Sequence, residues 1–180
     1  ALFVIFNAKR LSVTPLELHR ASVVAGDAEA TFLKDITEAH GYEIKTSGIN
    51  SIPWIKKLQD LHIRYGTDVL DWCLGICAQM DPGKPIPSNV LLGLCDVFDT
   101  TQPYRGIPME KNARQSLLKE NFSTVNGKIA MFYKTLSKVR EHGTVSGWRA
   151  RAAGLVVFKI INKHTHTKYP TPTKYKEAHV

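Results

Sequence analysis

Apolar residues recur at intervals of three and four positions along most of the chain, a spacing that predicts helices rather than strands. The clearest case is Trp54, Leu58, Leu61 and Tyr65, which have polar side chains between them. The next segment, residues 67–80, is apolar over a wider arc, which indicates a helix near the centre of the fold. No succession of strand-like segments competes with this pattern, so we predict a mainly α protein.

The start of the first predicted helix is indicated by Thr14-Pro15-Leu16-Glu17. Threonine is a favourable N-cap, proline suits the first helical position, and the Glu17 carboxylate can return a hydrogen bond to the cap amide. Gly26 should end this helix, because glycine adopts the left-handed conformation without strain. The stripe expected to face the core comprises Leu18, Ala21, Val24 and Ala25.

The whole chain is expected to form a compact bundle of about eight short helices. The later helices are predicted to start at Asp27 and near Asn50, then after the N-caps Thr67 and Ser88, and finally to cover about 108–120, 124–141 and 146–162. Residues 42–50 and 81–88 are predicted loops, because glycine and proline interrupt helices. Residues 163–180 have no apolar period, and we expect a flexible basic tail that is extended or disordered.

Basic residues are concentrated toward one end of the chain. The formal net charge of the 180 residues is +8, and from Arg149 onward seven basic side chains accompany a single acid, Glu177. The preceding 148 residues hold 17 basic and 15 acidic side chains. Such clustering is typical of a surface that binds nucleic acid. A tail that only improves solubility would explain the same distribution.

The three cysteines, Cys73, Cys77 and Cys95, do not have the spacing of a metal site, and an odd number does not suit a disulfide framework. We expect them to be small buried side chains in a cytoplasmic protein. A redox or metal pair of Cys73 and Cys77, four positions apart on a helix, is the alternative. No run approaches the roughly 18 apolar residues of a membrane span, so no membrane partner is expected.

The first 41 residues resemble a known family. The shared features are Ala1-Leu2-Phe3, Asn7, Lys9-Arg10-Leu11-Ser12, Pro15 and Ala25-Gly26-Asp27. They are similar to the passage that follows the ParB/sulfiredoxin-like domain in a group of phage, plasmid and bacterial proteins. The resemblance implies that residues 1–13 end an upstream ParB-like domain, that 14–162 form the helical domain after it, and that 163–180 are a tail. It also implies DNA binding, with any nucleotide-binding or nuclease residues upstream of Ala1.

The helix-turn-helix is the DNA-binding motif that such a family leads us to look for. The helix 124–141, the turn at 141–144 and the helix from Ser146 would present Trp148, Arg149 and Arg151 near the start of a recognition helix. Two packed helices joined by a glycine turn would give the same pattern. In the tail, Tyr169 and Tyr175 alternate with lysines, a composition that suits stacking on single-stranded nucleic acid and equally suits a linker.

Catalytic and metal-binding patterns are weak. Motifs of serine hydrolases, phosphate-binding loops and zinc proteases are absent from the sequence. Asp96 and Asp99, with Asp81 and Glu110, come nearest to a carboxylate cluster for magnesium, but a solvated acidic face is the better interpretation. The histidines of the tail, His164, His166 and His179, are expected to be solvated.

We therefore predict a nucleic-acid-binding helical module of a ParB-like protein, with DNA as its partner in preference to RNA, no cofactor and no catalytic residue. One alternative is an oligomerisation or adaptor module that buries Trp54, Trp72 and their neighbours against a second copy or another chain. Another is the guide domain of a nuclease or nucleotide hydrolase whose active site lies upstream. The predicted nucleic-acid contacts are Arg149, Arg151, Lys159, Lys163, Lys168, Lys174 and Lys176, with Lys128, Lys134 and Lys138 as a second group.

Overall fold

The computed structural model of the chain describes residues 13–101, 108–139, 147–166 and 168–176. Within them the mainly α fold is confirmed, and nine helices are present. They are α1 (Pro15–Val24), α2 (Ala28–Ala39), α3 (Ile55–Tyr65), α4 (Thr67–Met80), α5 (Ser88–Thr100), α6 (Pro108–Leu117), α7 (Phe122–Val139), α8 (Trp148–His164) and α9 (Thr173–Lys176). Among these helices, none is long and apolar enough to cross a bilayer.

Helix α1 begins as its sequence predicts but buries a different face. The Glu17 amide donates to Thr14 Oγ1 at 3.2 Å, and the Thr14 amide donates to Glu17 Oε2 at 2.8 Å, which completes the capping box. The buried residues are Leu16 and His19, because α2 and α3 pack against that edge of the helix. The predicted stripe is wrong: Leu18 is 60% exposed and Val24 is 89% exposed.

Three other helices begin at residues that differ from the predicted ones. Asn50 and Ile52 pair with Glu43 through backbone hydrogen bonds of 2.9 Å, so this stretch is held in an extended conformation and α3 starts only at Ile55. The predicted caps of α4 and α5, Thr67 and Ser88, are instead the first residues of their helices. In the described residues, strand pairing is limited to a bridge between Glu43 and Ser51.

Helix α8 lies at the centre of the bundle, where it packs against α5, α6, α7 and α9. Its buried residues occupy all sides of the helix and include Ala153, Leu155, Val157 and Phe158. The approach to α5 is close: a Cβ added at Gly93 would lie 2.9 Å from Val157 Cγ2 and 3.0 Å from the Ala153 carbonyl oxygen. Helix α4, which the sequence predicts near the centre, buries residues such as Cys73 and Leu74 where it packs against α3, α5 and α6.

The basic tail is packed against the bundle over residues 168–176, which corrects the expectation of a flexible segment for this part of the chain. The Asn162 side chain donates to the Tyr169 carbonyl and accepts from the Tyr169 amide, both at 2.9 Å. The short helix α9 then contacts α8 and places Tyr175 in the core with no exposed surface. Residues 168–172 form no helix or strand, as predicted for an extended segment.

Candidate nucleic-acid interface

Helices α7 and α8 contain no acidic residue along their 18 and 17 positions. Over residues 121–176 the sequence has 11 basic side chains and one acid, whereas residues 1–120 have 13 basic and 14 acidic side chains. The excess charge of the chain is therefore carried by this pair of neighbouring helices and the segments that flank them. Charge of one sign on adjacent elements attracts polyanions over several ångströms.

A groove of about 460 Å³ runs between α7 and α8. Its floor is apolar and is formed by Met131 and Phe132 of α7 and by Val156 and Ile160 of α8. The lysines at its rim come from both helices. They are Lys128 of α7 and Lys159 and Lys163 of α8. The residues of this groove, floor and rim together, are called the lysine groove below.

The lysines of the rim differ in what they contact. Lys159 is exposed and its Nζ lies 5.6 Å from the centre of the Phe132 ring, within cation–π distance. Lys163 is exposed as well. Lys128 donates to Glu120 Oε1 at 3.3 Å, and the same oxygen bonds His164 Nε2 at 3.0 Å. These bonds hold the pKa of Glu120 below its usual value, His164 having the largest effect.

A second group of cations lies at the start of α8. The Arg149 guanidinium is 5.6 Å from the centre of the Trp148 ring. The backbone carbonyl of Arg149 accepts a hydrogen bond from Tyr133 Oη at 2.8 Å. Burial lowers the pKa of Lys57 in α3, and the charge of Arg149 lowers it further. Arg64 also faces this end, because a Cβ at Gly147 would lie 3.3 Å from its Nη2.

Helix α8 does not have the free surface of a recognition helix. Ala150 and every residue from Ala152 to Phe158 are buried, so the helix cannot lie along a major groove. Arg149 and Arg151 are two positions apart, a rotation of about 200°, so they lie on different faces of α8. The predicted turn at 141–144 and the start at Ser146 lie outside the described residues.

The predicted contacts of α7 are only partly on the lysine groove. Lys128 lines it, whereas Lys134 is exposed and is not among its lining residues. The side chain of Lys138 lies outside the described residues. Of the seven contacts predicted from Arg149 onward, the structure brings Lys159 and Lys163 into one site with Lys128.

Two lysines of the tail serve the fold. Lys168 Nζ donates to the carbonyl of Thr165 at 2.9 Å and to that of Asn162, so it caps the C-terminal end of α8. Lys174 Nζ donates to Asp96 Oδ1 at 2.8 Å and to Thr100 Oγ1 at 3.0 Å. Lys174 is therefore corrected from a phosphate contact to a partner of a buried carboxylate. Lys176 is exposed.

Asp96 is the least expected residue of the structure, because its side chain is fully buried rather than part of a solvated acidic face. Besides Lys174, it accepts from Tyr65 Oη at 3.1 Å and from Tyr175 Oη at 2.9 Å. Burial, followed by the negative charge of Asp96, raises the pKa of both tyrosines well above the usual value. A Cβ at Gly154 would lie 2.3 Å from Asp96 Oδ2, so only glycine leaves room for this cluster.

The other carboxylates and histidines do not form a metal site in the described part of the chain, where no group of three or more His, Cys, Asp or Glu side chains converges. Asp81 Oδ2 accepts from the Phe122 amide at 3.1 Å and thereby caps α7. His164 was expected to be solvated, but it is bonded to Glu120, while His166 is exposed. The side chain of Glu110 and the residue His179 lie outside the described part of the structure.

The cysteines are buried without disulfides, as predicted. The tryptophans of the adaptor hypothesis are engaged within the chain. Trp54 Nε1 donates to the Ile86 carbonyl at 3.0 Å, and Trp72 stacks on Phe98 with ring centres 4.1 Å apart. Tyr175, proposed for base stacking, is buried, and the Tyr169 hydroxyl accepts from Asn112 Nδ2 at 2.9 Å.

Comparison of the chain with protein-family models, with curated proteins and with solved structures gave no match.

Proposed function

We propose that the chain is a nucleic-acid-binding module and that its contact surface is the face of α7 and α8 around the lysine groove. One observation carries the proposal: two neighbouring helices without a single acid bring Lys128, Lys159 and Lys163 together at one groove. A polyanion gains from each such contact, because neutralising a phosphate releases condensed counterions. No residue of the face has the arrangement of a catalytic group, so the proposed role is binding.

Two features of the sequence agree with this proposal. The near-neutral remainder of the chain, residues 1–120, makes the basic face a local rather than a global property. The resemblance of the first 41 residues to proteins that contain a ParB-like domain suggests DNA as the natural partner. The guide-domain hypothesis stays a prediction about a segment outside this chain.

The test is fluorescence-polarisation titration of labelled DNA with the chain at several salt concentrations. The informative variant is Lys159→Gln with Lys163→Gln, and the matched control is Lys56→Gln with Lys84→Gln. Both pairs remove two exposed lysines, and the control pair lies in α3 and in the loop before α5.

We expect affinity to fall steeply with salt, and the groove variant to lower the slope of log K against log salt by about 1.4–1.8, since each phosphate contact contributes about 0.7–0.9. If the two proteins bind equally at 1 M salt, the variant should bind roughly 25- to 60-fold more weakly than the original chain at 0.1 M salt. Equal losses in the groove variant and its control would assign the binding to net charge alone. Binding that does not depend on salt would contradict the proposal.

A further inference from the structure

We infer that the lysine groove holds an unpaired base, so that the basic face binds single-stranded nucleic acid in preference to a duplex; this inference rests on the proposed function. It follows from the juxtaposition of an apolar floor with cations on both walls of one groove. A duplex keeps its bases stacked inside and presents phosphates to a flat basic face. Binding of a duplex therefore does not require an apolar cleft between the cations.

The shape and chemistry of the groove match an exposed nucleotide. Met131 and Phe132 on one side and Val156 and Ile160 on the other are apolar, and the volume of about 460 Å³ accepts a planar ring. Met131 is 67% exposed, which is a large apolar surface left in contact with water. Covering it with a base removes that surface from water without burying a charge, since the phosphates remain at the rim.

The position of Lys159 supports the same occupant. Its Nζ lies 5.6 Å from the centre of the Phe132 ring, so a cation and an aromatic ring are adjacent in the groove. A base stacked there would displace the ammonium group, and the long flexible side chain of lysine allows the group to swing to a neighbouring phosphate. Lys163, one helical turn or about 6 Å further along α8, is placed for the next phosphate.

The charges also decide against an uncharged apolar ligand. Lys128 enters from α7, whereas Lys159 and Lys163 enter from α8, so an occupant must carry negative charge on both sides of its apolar part. A nucleotide chain has this pattern at every residue, with one phosphate on each side of the base. Glu120 balances the charge of Lys128 in part, and none of the described residues that line the groove is acidic.

The experiment compares three fluorescent probes of equal length on the full chain. They are a thymidine oligonucleotide, an abasic oligonucleotide with the same phosphate charge, and a duplex. Phe132→Leu removes the aromatic face and keeps apolar volume at the floor of the groove. Phe32→Leu in α2 is the matched control, because that half-buried ring stacks on His62, far along the chain from the groove. Circular dichroism melting shows whether each variant is folded.

The expected result is that the thymidine strand binds at least tenfold more tightly than the abasic strand and the duplex, and that Phe132→Leu removes most of this margin while Phe32→Leu keeps it. Equal affinity for the thymidine and abasic strands would overturn the inference and leave the proposed function standing. If no probe binds in a salt-dependent way, the proposed function fails with it.

Discussion

Replacing Asp96 tests whether its buried carboxylate holds the bundle together. Its two oxygens accept from Tyr65, Lys174 and Tyr175 at 2.8–3.1 Å, and these partners come from α3 and from the segment after α8. In Asp96→Ala the Tyr65 phenol loses its acceptor, and the Tyr175 phenol keeps only a 3.5 Å contact with Thr100 Oγ1. Tyr65 is 8% exposed and Tyr175 has no exposed surface, so water cannot replace the carboxylate without a local opening.

The magnitude follows from these partners. Each buried hydroxyl without an acceptor costs about 1–3 kcal/mol. The ammonium of Lys174, whose side chain is 29% exposed, can turn toward solvent, so its loss adds little. We expect Asp96→Ala to lower the free energy of unfolding by about 3–5 kcal/mol, close to the range for breaking a buried charged pair. Asp96→Asn keeps one acceptor oxygen and should lose about 1–3 kcal/mol.

The assay is urea unfolding followed by circular dichroism, with Asp99→Asn as the matched control. Asp99 lies on the same helix, is half-buried and makes the same change of charge on substitution, and its loss should stay within about 0.5 kcal/mol. In thermal melts, a loss of 3–5 kcal/mol corresponds to a drop of roughly 6–20 °C for a chain of this size. If Asp96→Ala unfolded at the same urea concentration as the Asp99 control, the reasoning would be refuted.

Three further outcomes are expected. Gly154→Ala should lower the free energy of unfolding by about 1–3 kcal/mol, because the added Cβ would meet Asp96 and Tyr175. Gly127→Ala should raise it by up to about 1 kcal/mol, because nothing lies within 4 Å of the added Cβ. Urea unfolding of both variants checks this pair. Burial raises the pKa of Tyr175, so the unfolded chain loses the phenol proton at a lower pH than the folded chain does. The stability present below pH ~10 should therefore fall as the pH rises further, and Tyr175→Phe should reduce this fall. A melting temperature that stays constant from pH 8 to 11 would contradict this prediction. All three cysteines are fully buried and the pKa of Cys77 is raised by that burial, so a thiol reagent should label none of them until the chain unfolds, and stoichiometric labelling of the native protein would show the packing to be wrong.

Features that depend on neighbouring residues were predictable from the sequence. The capping box at Thr14 and Glu17 needs only a four-residue pattern, and it forms as predicted. The burial of the cysteines followed from their residue type and their apolar surroundings. The direction in which α1 faces was not predictable, because Leu16 and Leu18 are equally apolar and only the positions of α2 and α3 decide which is covered.

The features that were missed depend on residues far apart in the chain. Asp96 looked like one of several surface acids because its partners lie 31, 78 and 79 positions away. The same distance hid the role of Lys174, which has the composition of a solvated tail around it. Gly127 and Gly154 are both single glycines within helical patterns, and only the packing of α5 against α8 distinguishes the open position from the crowded one.

The candidate interface was predicted at the level of charge but not of geometry. Counting side chains placed the basic excess in the last part of the sequence, and the structure places part of it on α7 and α8. The apolar floor of the lysine groove was not found, because Phe132 was assigned to the core and Met131 to no role. A signal was present in the sequence: Lys128, Met131 and Thr135 follow helical spacing on a face that also contains Phe132.

The buried Asp96 cluster also has a consequence for how the chain is completed during synthesis. Lys174 leaves the ribosome 78 residues after Asp96, about 4–16 s later at usual elongation rates. Until then, burying the Asp96 carboxylate of α5 would leave its charge without the Lys174 ammonium group. The packing around Asp96 should therefore be completed only after Lys174 has been synthesised. A nascent chain interrupted before Lys174 would leave this centre open to water, and cellular proteases would cleave it more readily than a chain that includes Lys174.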